Sequence, residues 1–297
     1  MPIGVSGGGT AVHRRQAILA ETVDRLRHVG GEISLYAHEC EFVTSQFWDA
    51  LNFGHGRDTP REQWVPAPLV AEPEREERFQ AFDGFLTFLQ RLPDVRLAVA
   101  SQGPTLYADR AKGRSYTPAQ IAQMCASMAD MVRHQQQDGV WLSPAEVYGL
   151  VVGCLAARAR EERWPTTVRY RYADGPSEGP SGEVVARSLS LDDILGTCLY
   201  EDAYLDTYGA MPSQIQVGRN WLAPPDFVAT VGMAMPRWLA GDTGDAPVAK
   251  GTMDEARHIP DRCSWDWVVF PPGFDGSPLL DMARLQAWTL KPAPQVQ

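Results

Sequence analysis

His38, Glu39, Glu41 and His55 form the one polar cluster whose residue types and spacing suggest chemistry. Two imidazoles and a carboxylate suit a divalent ion such as zinc, and zinc held by three protein groups activates water for hydrolysis. On a strand, alternation sends His38 and Cys40 to one side and Glu39 and Glu41 to the other. A bend after Cys40 would gather His38, Glu41 and His55 as metal ligands. The plainer expectation is that these side chains tie a long proline-rich loop to the strand end.

Three other patterns carry less. Gly4-Val5-Ser6-Gly7-Gly8 matches a nucleophile elbow, but that turn needs a preceding strand, and three residues leave no room for one. Trp265 and Trp267 share one side of an expected strand, where indole faces stack on sugar rings; core packing is the ordinary use. The five cysteines, Cys40, Cys125, Cys154, Cys198 and Cys263, show no C-x-x-C spacing. Most of them, with Cys125, Cys154 and Cys198 among apolar residues at helical spacing, read as reduced core thiols, which favours a cytoplasmic location.

The elements that would position these residues come from periodicity. Leu19, Val23 and Leu26 predict a helix over 13–29, and Glu32 to Ala37 a strand ending at His38. A loop at 54–73 holds Pro60, Pro66, Pro68 and Pro73; loops of that length are functional or wrap the fold. A helix over 74–92 and a strand over Val95–Ala100 follow. Thr117-Pro118-Ala119-Gln120 and Ser143-Pro144-Ala145-Glu146 are capping boxes that open two helices. The first of these is expected to run through Met128 and Val132 until Gly139. Further on come a strand over 166–172, a helix over 189–208, a strand over 213–218, a helix from Pro224, a loop over 242–251 and a strand over 265–270.

With 297 residues, 22% charged and a formal net charge of −10, the chain has an ordinary globular composition. Its acidity argues against a nucleic-acid partner. No apolar run reaches the roughly 20 residues needed to span a bilayer.

The segment Ile33 to Phe42, with Phe47-Trp48-Asp49, Asn52-Phe53, Pro60 to Trp64, Phe85 to Leu89 and Leu106 to Arg110, resembles a branch of the nodulation-type polysaccharide deacetylases. Gly209 to Gly218 with Pro224 to Phe227 is similar to pseudomurein-binding-type repeats. The first resemblance implies a distorted (β/α) barrel, hydrolysis of acetyl groups on sugars, and zinc; His38 matches the late general acid. The family's Asp-Asp motif and H-x-x-x-H pair have no counterpart where they should stand. The second implies a cell-wall or carbohydrate partner.

The expected fold is therefore α/β. A partial (β/α)-barrel-like part spans 1–115, a helical pair 116–165, and a smaller α+β accessory domain 166–297. Residues 1–115 supply two or three βα units of the seven or eight that a barrel needs. A truncated reading frame, a homo-oligomer or a partner covering the open strand edges would each account for that. Three functions follow: a deacetylase-like hydrolase short of its metal site, a non-catalytic glycan-binding module, and a metal hydrolase built on His38, Glu41 and His55.

Overall fold

The computed structural model describes residue 3 and residues 8–28, 31–183, 186–254, 259–263 and 267–292. The chain is mixed α and β and divides into two units. One comprises Met1–Ala108, Ser264–Asp275 and Gln295–Gln297; the other comprises Asp109–Cys263 and Gly276–Pro294. The division falls between Ala108 and Asp109, not near 115 or 165. The cause is a ladder that spans both expected boundaries, pairing Ser115-Tyr116 with Val168-Arg169.

In the first unit α1 (Gly8–Leu26) and α4 (Glu72–Arg91) pack together. Val12, Leu19 and Val23 of α1 share a core with Phe85 and Leu89 of α4 and with Phe42. Pro73 in the first turn of α4, Glu72 and Glu74 beside it and Arg91 in the last turn suit the helix ends. Between them lie α2 (Cys40–Val43) and α3 (Trp48–Phe53), and α5 (Gly103–Leu106) follows.

The expected strands at Ile33–Ala37 and Val95–Ala100 run extended but form no ladder. They lay Ile33, Leu35, Ala37 and Val95 against the helix core instead. Residues 267–270 turn rather than extend, and their carbonyls accept from His55 (2.7 Å to Val268) and Gly56 (2.8 Å to Val269). Gly56 has φ +75°, and a Cβ there would stand 2.8 Å from Pro271, so only glycine closes this clip.

The proline-rich loop wraps α3. Buried Asn52 donates to the Trp48 and Val65 carbonyls (2.9 and 3.0 Å) and accepts from the Val65 N–H at 2.9 Å. Trp64 lies edge-on to Trp48, with ring centroids 5.0 Å apart.

The second unit is one motif used twice. The first copy runs β1 (Ser115–Tyr116), α6 (Pro118–Ala126), β2 (Gln135–Gln137), β3 (Val140–Leu142), α7 (Pro144–Glu161) and β4 (Val168–Arg169). The second runs β5 (Ser188–Leu189), α8 (Leu191–Tyr208), β6 (Ile215–Val217), β7 (Asn220–Leu222), α9 (Pro224–Leu239) and β8 (Ala246–Pro247). In each, the first and last strands pair antiparallel and the middle two form a hairpin. The second unit ends in α10 (Ser277–Gln286).

Sequence reading finds no internal repeat, because the copies share spacing more than identity. Thr117 and Ser190 cap α6 and α8 by accepting from the N–H three residues on. Ile121 and Cys125 correspond to Ile194 and Cys198, all fully buried.

The helices pack across the copies, α6 on α9 and α7 on α8. At the α6–α9 crossing a Cβ on Gly232 would sit 2.4 Å from the Cys125 carbonyl oxygen, so the backbones touch there. The helix expected to reach Gly139 stops at Ala126. Asp138 (φ 51°) and Gly139 (φ 73°) take the left-handed conformation that a tight hairpin demands, and the Asp-Gly pair overrides the helical periodicity before it.

Candidate functional site

His38 stands at the end of the extended 33–37 segment, its ring edge-on to Tyr36 (5.7 Å) and Phe47 (5.3 Å). Glu39 is already helical (φ −55°, ψ −36°) and α2 begins at Cys40, so strand alternation does not govern Glu39 and Glu41. The Glu41 carbonyl accepts from buried Arg78 at 2.7 Å, and its carboxylate oxygen Oε2 is buried with no hydrogen-bond partner. His55 lies exposed in a left-handed turn (φ 59°). Among the described residues no three His, Cys, Asp or Glu side chains stand close enough to hold a metal ion. His38, Glu41 and His55 therefore do not gather: the chain enters a helix after His38 and then runs through α3 before His55. Zinc does not fit this set.

Trp267 donates from Nε1 to Asp49 at 3.2 Å and packs edge-on against Phe47 at 4.9 Å. The contact is exposed, Trp267 being 40% exposed. Trp265 and Gly4 to Gly7 lie outside the described residues. Cys125, Cys154 and Cys198 are buried free thiols, as expected; burial pushes Cys125 and Cys154 up to about 12 and Cys198 well above its ordinary value.

The second unit presents surfaces that the sequence reading missed. Each hairpin shows the same outward pair: Gln136 opposite Trp141 in the first copy and Gln216 opposite Trp221 in the second. Pleating turns Gln135 and Leu142, and likewise Ile215 and Leu222, into the core, so these pairs face out. Trp221 is 43% exposed, and half-buried Trp141 meets His134 edge-on at 5.2 Å. The signal was a tryptophan followed by Leu-x-Pro after a glutamine-bearing strand, occurring twice.

Helix α8 runs about two turns beyond the length of α6 and carries Tyr200, Tyr204 and Tyr208 on one face. Their ring centroids lie 6.5 and 4.5 Å apart along the helix, and Tyr200 and Tyr208 are more than two-thirds exposed. Beside them Asp202 accepts from Arg160 (2.8 Å) and Arg171 (2.9 Å).

A buried carboxylate occupies the third position of α7 and of α9. Glu146 accepts from Lys291 (2.8 and 3.0 Å), the Tyr170 hydroxyl (2.7 Å) and the Ser143 N–H (2.7 Å). Asp226 accepts from Lys250 (2.6 Å) and the Gly251 N–H (3.0 Å).

The Glu146 cluster includes Asp109, which takes a 2.6 Å bond from Tyr170 and a 3.1 Å bond from Lys291. Burial works to raise Asp109, but the bonds from Tyr170, the Ala111 N–H and Lys291 outweigh it and hold its carboxyl below the usual range. Burial, followed by the bonds to the two carboxylates, drives the Tyr170 phenol far up. Asp109 and Tyr170 line a cleft of about 470 Å³ with Lys112, Gly113, Arg169 and Tyr172.

In the α7–α8 interface Glu201 is 2% exposed and accepts from Tyr148 Oη at 3.0 Å. Burial raises its carboxyl to about 7 against that bond. Among the described residues no helix is long and apolar enough to cross a membrane. Comparison with protein-family models, with curated proteins and with solved structures found no match.

Proposed function

We propose that the second unit is a non-catalytic glycan- or cell-wall-binding module made of two tandem copies of one motif. The observation that carries this is the outward Gln–Trp pair repeated at the same hairpin register, Gln136–Trp141 and Gln216–Trp221. The fold does not need an indole facing out at either place. A tryptophan face stacks on the apolar face of a pyranose, and an adjacent amide both donates to and accepts from ring hydroxyls. The tyrosines of α8 add aromatic faces with a polar edge. The pseudomurein-repeat resemblance over Gly209 to Phe227 falls on this hairpin and the helix after it.

Pull-down of the full chain on chitin and on peptidoglycan tests the module. Retention is expected for the native chain, with loss in Trp141→Ala/Trp221→Ala. No retention of the native chain on either solid would refute it.

The first unit supports a second reading, a deacetylase-like hydrolase descended from a (β/α) barrel. The observation in its favour is His38 at the end of an extended apolar segment, its ring fixed between Tyr36 and Phe47. Acetate release from a chito-oligosaccharide, abolished by His38→Ala, is the outcome this reading requires.

A further inference from the structure

We infer that the cleft bounded by Asp109, Lys112, Gly113, Arg169, Tyr170 and Tyr172 holds the carboxylate of an acidic sugar on its Lys112–Arg169 side, the Asp109 carboxylate being held by Lys291 and Tyr170. This rests on the glycan-binding reading of the second unit and names the class of ligand it takes.

The cleft, about 470 Å³, has the size of an ordinary small-ligand pocket. The β1–β4 ladder builds its rim: Ser115 pairs with Arg169, and the Tyr170 N–H donates to the Arg114 carbonyl at 2.8 Å. Lys112 precedes this ladder and Arg169 lies in it, and both side chains are exposed. Behind them Asp109 and Glu146 are already answered by Lys291 and the Tyr170 hydroxyl.

Three cations thus stand with two carboxylates, and the two cations at the mouth have no bonding partner among the described residues. In the same unit Arg160, Arg171, Arg237, Lys250 and Arg284 each bond an acid. A guanidinium and an ammonium on one rim bind a carboxylate through charge-assisted hydrogen bonds. Tyr172, 57% exposed, offers a ring face beside them.

Among the described residues the second copy lacks the arginine of this rim. Its β5–β8 ladder sets Pro247 opposite Ser188, where the first copy sets Arg169 opposite Ser115. The anion site therefore belongs to one copy only.

Calorimetric titration of the full chain with trigalacturonate, with an N-acetylmuramic-acid disaccharide and with neutral chitotriose tests the assignment. At least one acidic probe should bind about tenfold tighter than chitotriose, the factor expected from one charge-assisted contact. High salt should erase that advantage. So should Lys112→Gln/Arg169→Gln, with chitotriose affinity unchanged. Which acidic probe wins tells a ring carboxylate from a lactyl one. Equal affinity for acidic and neutral probes, or a preference that survives the double substitution, overturns the assignment alone. Failure of all three probes to bind overturns it together with the glycan reading.

Discussion

The two copies in the second unit agree in what the fold needs and differ in what it does not. Both place a hydroxyl cap at the first helix, a buried Ile and Cys on that helix, an antiparallel hairpin, and a buried acid in the first turn of the second helix. They part at three places. Met128 in the first copy corresponds to Glu201 in the second, both counted from the helix cap and both buried. Arg169 corresponds to Pro247 across the strand pair. The first helix stops at Ala126 in one copy and continues to Tyr208 in the other. The shared interior is architecture, and the differences gather at the rim and at the end of the first helix. The outward Gln–Trp pair is the exception, shared although it lies on the surface, as the proposed binding role requires.

The sharpest way to break the comparison is through the two buried acids. The Glu146 side chain is 2% exposed, and its lysine partner is 23% exposed. Glu146→Ala removes the more buried of the two carboxylates that hold Lys291 and Tyr170, leaving them Asp109 alone, and should cost about 2–3 kcal/mol. Asp226 is also buried, but Lys250 is 79% exposed and can return to water. Asp226→Ala should cost only about 1–2 kcal/mol. Urea denaturation of both variants checks the order; equal losses would mean that the copies carry their acids alike.

Glu201 sharpens the comparison next. Its folded value of about 7 lies above the ordinary 4.5, so the folded state holds the proton that the unfolded chain releases first. Its contribution is fully present below pH 4.5 and is lost as pH rises through about 7. The window is worth about 3 kcal/mol, the shift converted at about 1.4 kcal/mol per pH unit. Glu201→Gln should flatten stability across this range and leave the variant more stable at pH 8. Asp109 has the opposite sign: its value lies below 3.8, so its contribution is lost only on acidification below that range. A native chain with no stability change between pH 5 and 7 would contradict the burial of Glu201.

The smallest effect concerns the tyrosine face, which the first copy lacks. Tyr204→Ala should alter stability by no more than about 0.5 kcal/mol, as surface substitutions do. It should weaken retention on peptidoglycan by several-fold, read from elution volume. An unchanged elution would assign the aromatic face no part in binding.

Much of the helical fold was legible in the sequence. Periodicity and proline-bearing caps located α4, α7, α8 and α9, because those signals lie within a few residues. The Asp138-Gly139 hairpin was also legible, but the spacing of Met128 and Val132 continued the helical pattern across it. The duplication was hidden because, apart from the short Trp-Leu-x-Pro match, its copies agree in position and depth more than in letters. The Glu146 cluster was out of reach for another reason: Lys291 lies 145 residues from its partner, and no local pattern records that pairing. The separation of His38, Glu41 and His55 was not legible because strand alternation ends at His38, where the backbone turns helical at Glu39.

Binding stoichiometry tests the central claim most directly. Calorimetric titration of the full chain with a short N-acetylated oligosaccharide should give two sites, falling to one in Trp141→Ala and one in Trp221→Ala. A stoichiometry that neither substitution changes would contradict a pair of equivalent hairpin sites.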